Sequence, residues 1–347
     1  MRSPPAAAEL SPMAVHGVAQ TRAAVLGLGA YAPPKVLTND DLARLVDTSD
    51  EWITTRTGIK RRHIAGPDQA TSDLAVIAAQ QALDAAAVSA RDLDLILVGT
   101  ATPDMLFPAT ACLLQERLGA PQAGAFDLLA ACSSFVYGLI SAGQMIASGL
   151  ARTALVVGAE TLSRLVDWED RTTCVLIGDG AGAAVLGTSD SGRGICAGMV
   201  GADGSAGNVL KVPAGGSRMP ITREAIDRKL HRGYMDGQAV FKLAVRTVPG
   251  LIRETVARAG WMMEQVDLIV PHQANLRIIE AMASQLHLPM EKFVVNIQEY
   301  GNTSAASVPL ALFEAVQAGR IHDGDRIVLA AFGGGFTYAA CALVWGR

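Results

Sequence analysis

The chain has 347 residues, of which 50% are apolar and 18% charged, and a formal net charge of −4. This length allows about two domains of ordinary size with a large apolar core, and no apolar run approaches the roughly 18 residues of a membrane span, which excludes membrane insertion. Five cysteines, an odd number without paired spacing, exclude a disulfide framework and a metal cluster and predict a reducing, cytoplasmic compartment.

Residues 1–20 are rich in Ala and Pro and carry little charge, which predicts a disordered arm rather than a secretory signal. Gly27 and Gly29 follow an early strand, but no third glycine opens a helix at the spacing of a dinucleotide-binding loop. The segment Asp50-Glu51-Trp52-Ile53-Thr54-Thr55-Arg56-Thr57-Gly58-Ile59 runs into Lys60-Arg61-Arg62, the densest basic run. Net negative charge opposes an acidic partner, yet local charge decides such encounters, so this run reads either as a docking surface or as a solvated turn.

Residues 93–98 predict a strand. A second apolar run, Phe126-Asp127-Leu128, passes through Leu129-Ala130-Ala131 to Cys132-Ser133-Ser134-Phe135 and a helix over 136–146. This puts one thiol at a helix N-terminus, where unpaired N–H groups and the positive end of the dipole favour the thiolate that attacks carbonyl carbon. Cys132 is therefore the candidate nucleophile, although a small core cysteine would look the same in isolation. Cys112, Cys174, Cys196 and Cys341 read as small core residues.

Further along, residues 266–270 predict a strand that ends at Pro271-His272-Gln273-Ala274-Asn275, leaving the His272 ring free of the ladder. Residues 293–297 lead to Gly301-Asn302-Thr303-Ser304-Ala305-Ala306-Ser307, and a helix is predicted over 308–316. Alone, His272 could be a core histidine and Asn302 an N-cap. What joins them to Cys132 is a repeat of strand, turn, helix and strand, with Val156 lying 24 residues after Cys132 and Val328 lying 26 after Asn302. A duplicated unit of this kind would bring related strand ends together between two halves.

On the segments Asp50 to Ile59, Gly178 to Ala184, His272 to Ile279, Gly301 to Pro309 and Phe332-Gly333-Gly334-Gly335-Phe336, the chain resembles the thiolase-like condensing enzymes and, within them, β-ketoacyl-acyl carrier protein synthase III. The resemblance runs from about Ala23 to the C-terminus. It implies a homodimeric five-layered α/β/α/β/α fold of two duplicated halves, 21–190 and 191–347, with Cys132, His272 and Asn302 as the catalytic residues. Backbone N–H groups of Cys132 and Gly334 would hold the oxyanion. Trp52 and Arg171 would stack on the adenine of coenzyme A, Arg56 would contact the same nucleotide end, and Asn275 would line the pantetheine tunnel. Arg277, with Lys60, Arg61 and Arg62, would meet the carrier protein. Phe107 would close the partner's acyl pocket, which Leu162 and Phe332 line, and residues 210–232 would cover it; as an ordinary surface insertion that segment reads nearly as well.

The second cysteine that thiolases place before the glycine loop is absent, since Ala331 and Phe332 stand there, and the second histidine of elongating synthases reads as Asn302. The implied reaction is decarboxylative condensation of a short acyl-coenzyme A, such as acetyl, with malonyl-acyl carrier protein, without cofactor, metal or nucleic acid. Two alternatives stand beside it: an acyltransferase or synthase of specialised metabolism on the same scaffold, and a non-catalytic partner subunit, against which the intact Cys132, His272 and Asn302 argue.

Overall fold

The computed structural model describes residues 13–14, 22–189 and 191–346. The arm predicted over residues 1–20 lies outside the described residues except for Met13–Ala14, a short strand paired with Val200 and Met199.

Two five-stranded sheets are stacked with helices between and outside them. The first runs Arg22–Tyr31, Gly180–Ser189, Thr153–Glu160, Leu95–Gly99, Gly124–Leu128; the second runs Met13–Ala14, Gly194–Ala202, Thr337–Val344, Arg326–Gly333, Leu268–Pro271. Successive side chains of their central strands enter different cores. Leu95 and Leu97 face the helices Ser134–Ala147 and Ser307–Gln317 in the middle layer, whereas Ile96 and Val98 face the outer helix Thr71–Ala86. Ile327 and Leu329 likewise face the middle layer, while Val328 and Ala330 meet the outer helices Gly237–Arg258 and Leu276–Leu286. Strands buried on both faces explain why these runs are continuously apolar instead of alternating. The result is the predicted α/β/α/β/α layering.

The repeat is closer in register than the spacing of Cys132 and Asn302 suggests. Elements beginning at Ala90, Leu95, Ala131, Ser134 and Thr153 recur at Met263, Leu268, Ser304, Ser307 and Arg326, each 173 residues downstream. Ala131 and Ser304, the first residues of equivalent 3-10 turns, share the same left-handed backbone, with φ of 47° and 49°. Cys132 therefore corresponds to Ala305, and Asn302 is not its counterpart but lies two residues before the matching turn. The apolar run at 293–297 also differs from its counterpart Gly124–Leu128: it makes a single bridge, Phe293 to Ile269. The Gln273 side chain takes up Val294 O and Asn296 N–H, groups a regular strand would have used.

Glycines set how closely the halves approach. A Cβ on Gly158 would stand 2.2 Å from Ala305 O and 3.2 Å from Phe135 Cβ, both in the layer between the sheets. Gly158→Ala is expected to cost about 1–3 kcal/mol of stability through overpacking, measurable by denaturant unfolding. An unchanged midpoint would mean that the turn at Ala305 yields freely. Gly27 and Gly29 serve the outer layer in the same way, lying against Ala82 O and Ala78 O of the helix Thr71–Ala86.

Candidate active site

Cys132 lies in the turn Ala131–Ser133 that opens the helix Ser134–Ala147 and is 7% exposed. The turn is bolted to the opposite half. Ser133 Oγ donates to Ala130 O (2.7 Å) and lies 2.8 Å from Thr337 Oγ1, while Thr337 Oγ1 donates to Ala130 O at 2.7 Å. Gly333 packs so near that a Cβ there would stand 2.6 Å from Cys132 N. The glycine loop is thus a close backbone approach to the cysteine turn rather than a plain hairpin.

His272 follows the strand Leu268–Pro271, its N–H donating to Ala330 O (2.8 Å). It is 2% exposed, with Nδ1 2.6 Å from Ser307 Oγ and its ring edge-on to Phe332 at 5.3 Å between centroids. Asn302 crosses to the first half, where its N–H donates to Leu176 O (2.7 Å) and its carbonyl accepts from Gly178 N–H (3.0 Å). Asn302 Oδ1 accepts from Ser304 N–H at 2.9 Å, which leaves the Nδ2 amide as the donor end of the side chain. Cys132, His272 and Asn302 line one cleft of about 600 Å³, together with Trp52, Arg56, Asn275, Arg277 and Phe332.

Burial dominates the electrostatics. It pushes His272 down to about 3, so the imidazole is neutral at physiological pH. The Cys132 thiol is pushed up to about 12, chiefly by burial and further by the charge of Glu160, against the opposing hydrogen bond of Ser304. The resting thiolate expected from the helix N-terminus is therefore corrected: that partial charge acts against a larger desolvation cost, and the resting group is the thiol.

Glu160 stands behind these residues and outside every motif described above. It ends the strand Thr153–Glu160, is wholly buried, and accepts from Ala101 N–H, Thr100 Oγ1, Thr102 Oγ1 and Ser304 Oγ. A carboxylate closing the apolar run Val156-Val157-Gly158-Ala159 was the available signal, because carboxylates are almost never fully buried without partners.

A family profile described as 3-oxoacyl-[acyl-carrier-protein (ACP)] synthase III matches residues 126–204, and its C-terminal counterpart matches residues 256–345. A relative from Caldanaerobacter subterraneus, named β-ketoacyl-[acyl-carrier-protein] synthase III, is 53% identical over 325 residues, covering 94% of this chain and 98% of its own. The crystal structure of 3-oxoacyl-[acyl-carrier-protein] synthase III from Aquifex aeolicus aligns with a TM-score of 0.86 at 47% identity, covering 93% of this chain and 100% of that one. This chain belongs to the β-ketoacyl-acyl carrier protein synthase III family. A priming β-ketosynthase from the R1128 polyketide pathway is also similar, with a TM-score of 0.87 at 38% identity over 94% of this chain and 96% of its own.

The synthase III residues at the mouth of the cleft divide into those the structure brings there and those it does not. Ser49 caps the helix Asp50–Thr57, accepting from Trp52 N–H, and Gly58 ends it in a left-handed conformation. Trp52 is covered by two guanidinium groups, Arg56 at 4.6 Å and Arg171 at 4.9 Å from the ring centroid. Arg171 is anchored to Asp47 O at 2.7 Å. Asn275 caps the helix Leu276–Leu286 through its Oδ1 and donates from Nδ2 to Arg56 O, so the motif after His272 also positions the Trp52 helix. Arg277 is exposed at the mouth beside Lys242, a cation the sequence reading did not single out.

The basic run needs correction at Arg62, which is wholly buried and donates to Asn39 Oδ1 (2.8 Å), Leu37 O and Val175 O. It holds the ribbon Lys35–Thr38 with Arg61–Ile64 against the first half and cannot meet a partner. Arg61 is exposed but paired with Glu299 at 2.8 Å, while Lys60 is exposed.

A second, apolar cavity of about 420 Å³ opens on the other side of Cys132, lined by Leu129, Leu162, Leu165, Leu176, Leu210 and Gly334 among others. Leu162 is among the residues that line this cavity. Phe332 lines the first cleft instead, because strand alternation turns it toward His272 and Phe336. Leu210, Lys211 and Val212 line the second cavity from the 210–232 segment, which Lys229 ties to Asp167 (2.9 Å) and Glu169 (2.6 Å). Phe107 lies outside both cavities, 84% exposed.

Proposed function

We propose that Cys132, His272 and Asn302 carry the two half-reactions of the synthase III condensation, in which an acyl-coenzyme A primer and malonyl-acyl carrier protein give 3-oxoacyl-acyl carrier protein, CO₂ and coenzyme A. The observation that carries this reading is their common cleft, reached from the Trp52 side and continued by an apolar cavity behind the cysteine. The Cys132 sulfur attacks the primer thioester, its carbonyl oxygen lying toward the N–H groups of Cys132 and Gly334, and coenzyme A leaves as its thiol. Splitting the reaction through a covalent intermediate turns one difficult step into two easier ones.

Malonyl-acyl carrier protein then enters the vacated cleft. Loss of CO₂ leaves an electron pair delocalised onto the thioester oxygen, where His272 and Asn302 each donate a hydrogen bond. This role asks Ser307 Oγ, 2.6 Å from Nδ1, to donate there so that the neutral imidazole carries its proton on Nε2, while Ser304 N–H on Asn302 Oδ1 keeps Nδ2 forward. The carbanion attacks the acyl-Cys132 carbonyl, the carbon–sulfur bond breaks with its electron pair on the Cys132 sulfur, and that thiolate takes up one proton from solvent to regenerate the thiol. Among the described residues no group of three or more His, Cys, Asp or Glu could hold a metal, and no helix is long and apolar enough to cross a membrane.

We infer a homodimer and a short primer from one feature. Met105, Leu106, Phe107 and Leu129 are 47%, 84%, 84% and 77% exposed beside the acyl cavity, and a second copy that covers them could insert Phe107 and shorten the space. The carrier protein docks at Arg277 and Lys242, with Lys60 nearby. Arg277→Ala is expected to raise the KM for malonyl-acyl carrier protein about 10-fold or more, as for a charge at an interface with a charged partner, with acylation by acyl-coenzyme A nearly unchanged. Equal loss in both half-reactions would contradict the docking role. The specialised-metabolism alternative is not favoured. The test of the proposed roles is single-turnover acylation and malonyl decarboxylation assayed separately on variants of the three residues.

A further inference from the structure

The two equivalent turns are each fastened to the opposite half by one serine, but at different positions. In the first turn Ser133 Oγ lies 2.8 Å from Thr337 Oγ1, and its counterpart 173 residues downstream, Ala306, has no hydroxyl. In the second turn Ser304 Oγ donates to Glu160 Oε1 at 2.9 Å, and its counterpart is Ala131. Ala131 keeps the same left-handed backbone, so the turn forms without a hydroxyl there. Glu160 and Gly333 are counterparts as well: each is the last residue of its strand, and each meets the turn of the other half. Where the first turn meets a bare glycine, the second meets a wholly buried carboxyl group. Such a group is costly to take out of water, and the duplicate half folds without one.

What the second turn serves and the first does not is Asn302, whose counterpart is Leu129. Ser304 N–H, at 2.9 Å from Oδ1, is among the described residues the one hydrogen-bond partner of the Asn302 side chain. A carboxamide has an accepting end and a donating end of nearly the same shape, and only the donating end stabilises a developing oxyanion. We propose that Glu160 sets the orientation of the Asn302 carboxamide by holding Ser304, the residue that supplies both the hydroxyl Glu160 accepts from and the N–H that fixes Oδ1. Glu160 is itself anchored by Thr102 Oγ1 (2.7 Å), Ala101 N–H (3.1 Å) and Thr100 Oγ1 (3.2 Å), all just past the strand Leu95–Gly99. The Asn302 backbone is held by the same half, through Leu176 O and Gly178 N–H. Main chain and side chain of Asn302 are thus both placed by the half that carries Cys132. Loosening Ser304 lets the carboxamide turn over and present Oδ1 to the malonyl thioester oxygen, where it repels the charge as it forms. Glu160 and Ser304 act through Asn302 and are positioning residues.

This inference rests on Asn302 as a donor in decarboxylation, and the test separates the two. Malonyl-acyl carrier protein decarboxylation, resolved into kcat and KM, and acylation of Cys132 by acetyl-coenzyme A are measured on wild type, Ser304→Ala, Glu160→Gln, Asn302→Ala and His272→Ala, and on Ser304→Ala combined with each of the last two. Ser304→Ala removes the hydroxyl and keeps the N–H, in a conformation that Ala131 already adopts. It should lower kcat for decarboxylation about 10-fold or more, the scale of a slightly misplaced catalytic group, with KM little changed and acylation falling far less. Glu160→Gln, which accepts at only one of its two terminal atoms, should act in the same direction. Adding Asn302→Ala to Ser304→Ala should cost about 10-fold less than Asn302→Ala costs in wild type, because both damage one donor; the cost of His272→Ala should shrink less in that background. A decarboxylation rate unchanged in Ser304→Ala would overturn the proposal, as would full multiplication of its loss with that of Asn302→Ala. A loss shared equally by acylation, or a raised KM with kcat kept, would mark a generally loosened site and also overturn it. If Asn302→Ala alone leaves decarboxylation intact, the reading of Asn302 as a donor falls and this inference falls with it. Should Glu160→Gln fail to fold, Ser304→Ala and its cycle with Asn302→Ala decide.

Discussion

Cys132→Ala will form no covalent acyl-enzyme with any acyl-coenzyme A, a loss expected to be complete rather than graded. No other thiol can substitute: Cys174 and Cys341 are buried outside the two cavities, and Cys112 and Cys196 do not line them. The fold should survive, since a buried free cysteine behaves as a small apolar residue and alanine removes one atom from a site held by Ser133, Thr337 and Gly333. Decarboxylation of malonyl-acyl carrier protein should persist in part. His272 and Asn302 are positioned by Ala330, Ser307, Leu176 and Ser304, and none of those contacts passes through the Cys132 side chain. Intact-protein mass after incubation with acetyl-coenzyme A is the check, and a retained acetyl mass on the variant would remove Cys132 from its role.

The second large effect falls on the other half-reaction. His272→Ala and Asn302→Ala should each lower malonyl decarboxylation by about 10²–10³, the usual cost of one donor to a developing oxyanion. The pair should lose less than the product of the two, because both act on one oxygen. Acylation of Cys132 should fall far less in His272→Ala. Asn302→Ala is expected to slow acylation modestly, since it also frees Ser304 N–H in the turn that lines the same cavity as Cys132. Decarboxylation should be flat from about pH 5 upward, because the burial-depressed His272 is already neutral there. A decarboxylation rate unaffected by His272→Ala would contradict the assignment, and so would a rate that rises with imidazole protonation near pH 6.5.

Much of this arrangement could be read from the sequence because it rests on local signals. Continuous apolar runs marked the doubly buried strands, and small residues after a strand marked the turns at Cys132 and Ser304. What stayed hidden depended on contacts between distant segments. Arg62 was misread through its neighbours in a charge run; the period-2 pattern of Arg61–Ile64, which turns Arg62 and Ile64 inward and Arg61 outward, was the better guide. Phe332 was misplaced for the same reason, since alternation along Arg326–Gly333 decides which cleft it faces. The Cys132 proton could not be placed from helix-dipole reasoning alone, because the opposing desolvation comes from packing between the halves. Glu160 and Ser304, 144 residues apart, meet only because the fold closes on itself, and neither has a local pattern that reports the other.

The central claim is that one thiol carries the acyl group between two substrates, and a two-stage mass measurement tests it. The enzyme is loaded with acetyl-coenzyme A, freed of excess, mass-measured on the peptide containing Cys132, and then given malonyl-acyl carrier protein. The predicted result is a single acetyl gain on Cys132 that disappears, mole for mole, as 3-oxobutanoyl-acyl carrier protein and CO₂ form. An acetyl group that stays until some other acceptor is supplied, or no gain with any primer from acetyl to dodecanoyl, would contradict it.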